Sequence, residues 1–185
     1  DIRFDFNRKD RIGIIEAILG SDKSIDQLER VSREVLTRKE IVFITRINKD
    51  KALPLLDIFQ EGKFYEEANC LIIGENSKTI STKRKVALIA GGSSDLPVIM
   101  EAKLAIEAYG VECKSFIDVG VAGLHRLLGQ IDEIKKYDIL IVFAGMEGAL
   151  ATVVGGLFPQ PIIAVPVSVG YGVSKNGHTA LNSML

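Results

Sequence analysis

The chain has 185 residues, of which 47% are hydrophobic and 25% charged, with a formal net charge of −1. That composition belongs to a globular protein with apolar material for one sizeable core or two small ones, and it carries no basic excess to point to nucleic acid. No apolar run approaches the roughly 20 residues that span a bilayer, so neither a membrane nor a nucleic acid is an expected partner. The two cysteines, Cys70 and Cys113, lack CxxC spacing and read as reduced, buried thiols, which makes the cytoplasm the expected location.

The first part, residues 1–80, is expected to be a small α/β unit. "SIDQLERVSREVL" (24–36) predicts a helix with Ser24 as N-cap and Gln27 three residues on, as in a capping box. Ile25, Leu28, Val31 and Val35 fall on its one apolar face. "IVFITR" (41–46) predicts a buried strand, "KDKALPLLDIF" (49–59) a helix interrupted by Pro54, and "NCLIIG" (69–74) a second strand, together of a β-α-β kind. A polar, basic connector, "GENSKTISTKRK" (74–85), follows, with the composition of an exposed segment.

The second part, residues 81–185, repeats strand and helix. Strands are expected at 85–91, 112–119, 138–145 and 161–167, and helices at about 95–109, 122–136, 147–157 and 175–185. Three of the strands are continuous apolar runs, as required when both faces of a sheet are covered. Strands separated by helical patterns predict right-handed crossovers and a doubly wound parallel sheet, an α/β fold. Ligands of such sheets bind beyond the carboxyl ends of the strands. The chain's most unusual loops, 91–97, 118–125, 144–149 and 168–175, all fall there, which points to an enzyme or a small-molecule binder.

Each loop has a chemical and a structural reading. In "GGSSDLPV" (91–98), Asp95 suits a helix N-cap and Pro97 the first turn. Gly92, Ser93 and Ser94 at a helix N-terminus make an anion site for phosphate, or else a capped tight turn. The spacing is neither GxGxxG nor GxxxxGK[ST]. "DVGVAGLHR" (118–126) sets Asp118 at a strand end with His125 and Arg126 beyond it. A histidine can move protons and an arginine can clamp an anion, although a surface helix has the same residues. In "AGMEGAL" (144–150), Glu147 stands between Gly145 and Gly148, beside Met146, at a strand end. It is a general acid/base, a Mg²⁺ ligand or a helix-start carboxylate favoured by the dipole. "VSVGYGVSKNGHT" (167–179) reads as a mobile flap with Lys175 and His178 able to meet an anion, or as a flexible surface loop.

These loops, in this order, resemble the PurE-like aminoimidazole ribonucleotide carboxylases. "GGSSDLPV" is similar to that family's phosphate loop, His125–Arg126 fall at its His-Arg, and "AGMEGAL" takes the place of its Gly/Ala-rich loop. The closer resemblance is to the LarB family, through "FIDVGVAGLHRLL" (116–128), "AGMEGALATVVGGL" (144–157) and "PVSVGYG" (166–172). In the first part, Asp5, Arg8, Arg11, Glu16, Lys23 and Thr45–Arg46 fit the LarB leader segment, which plain PurE lacks.

The resemblance implies a three-layer, flavodoxin-like or Rossmann-like domain. It also implies a carboxylase/hydrolase that adds CO₂, drawn from bicarbonate, to the pyridinium ring of nicotinic acid adenine dinucleotide. Cleavage of the phosphoanhydride then releases AMP and pyridinium-3,5-biscarboxylic acid mononucleotide, for nickel-pincer nucleotide biosynthesis. A thiolate adding to the electron-poor ring makes it nucleophilic, so a cysteine is the covalent catalyst, and Mg²⁺ neutralises the diphosphate. The family's attacking cysteine follows the "NSML" helix, so the carboxylase domain is expected to be truncated at Leu185, and neither Cys70 nor Cys113 is assigned that role. By the same resemblance, Gly92, Ser93, Ser94 and Asp95 hold the ribosyl phosphate or ribose, and Glu147 serves acid/base chemistry or the metal. Asp118, His125 and Arg126 shape the substrate or CO₂ pocket. Gly145, Met146 and Gly148 line it, and Ser168, Gly170, Tyr171, Gly172 and Lys175 close over the substrate. PurE-like domains form octamers, so a homo-oligomer is expected. The alternatives are a phosphoribosylaminoimidazole carboxylase of purine biosynthesis and a non-catalytic nucleotide-binding module.

Overall fold

The computed structural model describes residues 4–74 and 83–185, so most of the expected connector lies outside the described residues. The chain forms two compact units. One comprises Asp1–Ser81 with Leu104–Gly110, the other Thr82–Lys103 with Val111–Leu185. Among the described residues no helix is long and apolar enough to cross a membrane.

In the first unit, a short helix α1 (Arg8–Ile12) and strand β1 (Ile18–Leu19) precede helix α2 (Ile25–Thr37). Helix α2 begins as its sequence dictates. The Ser24 hydroxyl accepts from the Gln27 amide, and the Gln27 side chain accepts from the Ser24 amide. Leu28, Val31 and Val35 are buried on its inner face, with Ile25 partly so. Strand β2 (Val42–Thr45), helix α3 (Lys49–Ile58), strand β3 (Lys63–Tyr65) and strand β4 (Cys70–Ile73) complete the unit. Helix α3 runs through Pro54. The ring removes the bond that an amide there would give to the carbonyl four residues back and crowds that carbonyl, yet the helix continues to Ile58.

The sheet order is β1-β2-β4-β3. The parallel β-α-β unit is β1-α2-β2, one step earlier in the chain than the pattern predicts. The expected pair, β2 and β4, is antiparallel, because β3 intervenes and turns back onto β4 as an antiparallel partner. The two-residue β1 and the polar "KFY" of β3 are too short to show a period.

The second unit is the doubly wound domain. Its strands are β5 (Lys85–Ala90), β6 (Glu112–Phe116), β7 (Ile139–Ala144) and β8 (Ile162–Pro166). They pair in parallel in the order β6-β5-β7-β8. Every residue from Val86 to Ala90 is buried, as expected for a central strand covered on both faces. The polar β6, "ECKSF", is an edge strand with alternating exposure. Chain order reverses between β5 and β7, so the switch point of the sheet lies there.

The helices are α4 (Leu96–Ala108), α5 (Leu124–Leu128), α6 (Ile131–Ile134), α7 (Ala149–Leu157) and α8 (His178–Met184). The single helix expected over 122–136 is therefore two. At Gly129 and Gln130 the bonding slips from Gly129 N–H to His125 O to Gln130 N–H to Leu127 O, a tighter turn. Ala87, Ile89, Leu140 and Val142 of the sheet pack with Leu127, Ile134, Leu150 and Val154 of these helices in one core.

Candidate functional site

Four loops leave the carboxyl ends of β5 to β8, and backbone contacts press them together. Gly91 N–H donates to Phe143 O, and Val119 N–H to Ala90 O, so the first two loops continue the sheet for a residue. A Cβ at Gly120 would lie 2.5 Å from the Gly91 carbonyl oxygen, so only glycine fits where these loops cross. Gly145 is held likewise, its missing Cβ directed at the Val169 carbonyl, while Met146 N–H donates to that same oxygen at 3.2 Å. The loops after β7 and β8 thus lie flat against each other.

Between them is a cleft of about 350 Å³ at the switch point of the sheet. Gly91, Gly92, Ser94 and Asp95 line it from the first loop, and Gly120, Val121 and Ala122 from the second. Ala144, Gly145, Met146, Glu147, Ala149 and Leu150 come from the third, Val169 and Tyr171 from the fourth. Of the residues singled out in the sequence, this cleft gathers Gly92, Ser94, Asp95, Gly145, Met146, Glu147 and Tyr171. Ser93, Gly148, Ser168, Gly170, Gly172 and Lys175 belong to the same loops but do not line it. Neither do Asp118, His125 and Arg126.

The first loop is a 3-10 turn, Ser93–Asp95, leading into α4. Asp95 does precede the helix, yet its carboxylate accepts from the Gly92 amide behind it at 3.2 Å. It therefore stiffens the glycine turn. Asp95 is buried, and burial pushes its carboxyl group above the ordinary carboxylate range, with the Gly92 amide opposing. Ser93 and Ser94 are exposed.

Glu147 is exposed and sits in the turn closed by Gly148 N–H to Gly145 O, with Met146 and Gly148 at positive φ. Helix α7 starts only at Ala149, so Glu147 precedes the helix instead of opening it. Asp118, at φ 61°, forms an ion pair with Arg126. The pair ties together the two ends of the loop whose middle, Gly120–Ala122, lines the cleft. His125 is exposed on α5.

The flap expected over 167–179 is a folded segment. It contains 3-10 turns over Gly172–Gly177 with a kink at Lys175 and Asn176. Ser174 is buried, its amide donating to Tyr171 O, and the Thr179 hydroxyl donates to Val173 O. His178 opens α8 and is exposed. Cys113, half-buried on β6, does not line the cleft, and Cys70 is buried on β4 of the first unit. The sequence marked Gly91 as a point of close backbone approach, but sequence reasoning missed the small residues Gly120, Ala122 and Ala144 that shape the cleft with it. Their signal was present in the paired glycines at successive strand ends.

Among the described residues no three of His, Cys, Asp and Glu come together as metal ligands. The acidic groups lining the cleft are Glu147 and an Asp95 already engaged with Gly92. This donor set does not fit a resident Mg²⁺, which takes six ligands in a near-octahedral shell.

Residues 85–185 match the AIR carboxylase family, and residues 2–75 match the LarB/PurE-like N-terminal domain. An uncharacterized protein of Methanocaldococcus jannaschii is 33% identical over 181 residues, which are 93% of this chain and 70% of that protein. The phosphoribosylaminoimidazole carboxylase of Saccharomyces cerevisiae is 31% identical over 105 residues, 56% of this chain and 18% of that one. The N5-carboxyaminoimidazole ribonucleotide mutase of Thermotoga maritima is 27% identical over 107 residues, 55% of this chain and 58% of that one. With a parallel-sheet domain of the AIR carboxylase type and a LarB/PurE-like domain in front of it, the chain belongs to the LarB family of PurE-like proteins.

Proposed function

We propose that the protein carboxylates the pyridinium ring of nicotinic acid adenine dinucleotide and hydrolyses its phosphoanhydride. The products are AMP and the pyridinium-3,5-biscarboxylic acid mononucleotide that nickel-pincer nucleotide synthesis requires. The observation that carries this reading is Glu147, an exposed carboxylate on the lining of the cleft at the strand ends, where the other acidic group, Asp95, is already tied to the Gly92 amide. Once a thiolate has added to the ring and the resulting enamine has bonded to CO₂, a carboxylate there can take the ring proton, and departure of the thiolate restores the pyridinium. The LarB-type N-terminal domain favours the dinucleotide over a plain ribonucleotide.

In this reading the amides and hydroxyls of the exposed Ser93 and Ser94, in the turn that leads into the 13-residue α4, receive a phosphate, while the Gly92 amide stays on the Asp95 carboxylate. Asp95 holds that turn in shape. The Asp118–Arg126 pair positions the Gly120–Ala122 wall against which CO₂ lies, with His125 beside it. Ser168, Gly170, Gly172 and Lys175 border the substrate's entry. Mg²⁺ enters with the substrate diphosphate. The protein acts in the cytoplasm as a homo-oligomer.

The test is incubation with nicotinic acid adenine dinucleotide, bicarbonate and Mg²⁺, followed by mass spectrometry. A dicarboxylated mononucleotide plus AMP supports the reading. Glu147→Gln is expected to lower carboxylation by about 10²- to 10⁴-fold, the usual range for a general acid/base. Undiminished turnover would remove Glu147 from the chemistry. The second reading, a purine-pathway carboxylase or mutase, is favoured by the names of the yeast and Thermotoga relatives. Intact dinucleotide beside turnover of aminoimidazole ribonucleotide would establish it. Binding without turnover of either substrate would identify a nucleotide-binding module.

A further inference from the structure

We infer that Tyr171 is a specificity-determining residue, offering its ring as the stacking face for a positively charged aromatic ring that the Glu147 carboxylate pairs with in the same cleft. This rests on the proposed function in one respect, that the substrate carries such a ring.

The first observation is an aromatic side chain left uncovered on a fixed backbone. Tyr171 lines the cleft and is 77% exposed. Its own carbonyl accepts from the amide of Ser174, which is buried. Two residues earlier, the Val169 carbonyl accepts from Met146 N–H. The main chain is therefore tied on both sides while the ring packs on little. A flat apolar face held over a cleft is completed by a flat ligand.

The second observation is the sign of the charge. The charged side chains lining the cleft are Asp95 and Glu147, both acidic. The nearby guanidinium of Arg126 is committed to Asp118 and lies outside the lining. The remaining walls, Val121, Ala122, Met146 and Leu150, are apolar. In such surroundings a fixed negative charge and the negative face of an aromatic ring both favour a cation, by the modest amount that exposed groups supply. A neutral ring of the same shape gains the stacking but not the charge. The phosphate of the same ligand would lie at Ser94, in the loop after β5, across the β7 loop from Tyr171.

Two forms of one ligand separate these effects. Nicotinic acid mononucleotide has a cationic pyridinium ring, and its 1,4-dihydro form has an uncharged ring with the same carboxylate, ribose and phosphate. Calorimetric titration of each into the protein is expected to show the pyridinium form bound about tenfold tighter. Tyr171→Ala should lose most of that advantage, Tyr171→Phe should keep it, and Glu147→Gln should narrow the ratio between the two forms. Tyr171 is exposed, so circular dichroism of the alanine variant is expected to match the parent. Equal affinity for both forms, or an alanine variant that binds like the parent, overturns the role of Tyr171 and leaves the nucleotide reading standing. Binding of neither form by folded protein, with aminoimidazole ribonucleotide bound instead, overturns both.

Discussion

Asp95 is held by two opposed influences that a titration can separate. Its carboxylate accepts from Gly92 N–H, which favours the charged form, but burial disfavours that form more, and the group titrates above its usual 3.8. A raised folded value means that the folded protein keeps a proton the unfolded chain has released. Stability therefore falls as pH rises from about 3.8 through the folded value, and the penalty is fully present above it. Asp95→Asn removes the charge and keeps an oxygen for Gly92. Its melting temperature is expected to exceed the parent's at pH 7, with the two converging as pH falls below 3.8. A variant whose stability falls further below the parent's as pH rises from 3.8 to 7 would mean that the charged carboxylate is favoured in the fold. The side chain of Asp95 was legible in the sequence as a helix-start residue. Its reach back to Gly92 was not, because a 3-10 turn and an α-helix start have the same residue preferences.

Among the elements, the strand-end loops depend on backbone contact more than on side chains. A methyl group at Gly120 would meet the Gly91 carbonyl at 2.5 Å, and the main chain there is part of the β5 to β7 ladder and cannot step aside. Gly120→Ala is expected to destabilise by about 1–3 kcal/mol, as overpacking does, and to weaken nucleotide binding with it. Gly156→Ala is the control. It lies in α7 with nothing within 4 Å of its Cβ position, and alanine there should stabilise by about 0.5–1 kcal/mol. Urea denaturation of the two variants checks the contrast, and equal effects would sink the close-contact account. The strands and α7 were readable from apolar runs. The break between α5 and α6 was not, because a helix period over 122–136 continues through a tightened turn without a change of pattern.

For the molecule as a whole, the parallel sheet leaves one area uncovered. Ile162 faces the core, and its neighbour Ile163 on the other face of the edge strand β8 is 54% exposed. Ile163 is paired with Ile141 of β7. Parallel sheets are ordinarily covered on both faces, and an apolar strand left open is a surface that a further copy could cover. The homo-oligomer expected from the LarB resemblance would account for it. Light scattering is expected to give a mass several times the 20.2 kDa of the chain, and Ile163→Asp a smaller species with its circular dichroism unchanged. An unchanged mass in the variant would place the subunit contact elsewhere.

The amino-acid sequence determined by itself the α/β character, the central strands and the capped α2. These follow from local causes: side-chain period, apolar run length, and a serine with a glutamine three residues on. It also placed the chemically distinctive loops at strand ends, because a parallel sheet sends every such loop to one side. Only the tertiary structure decided which of their residues meet. Glycines at 91, 120 and 145 let separate loops touch main chain to main chain, and that contact brings Glu147 and Tyr171 to one cleft while leaving His125 and Lys175 outside its lining. Contacts between residues about 25 to 80 positions apart leave no period in the chain, so no reading of neighbours could have supplied them.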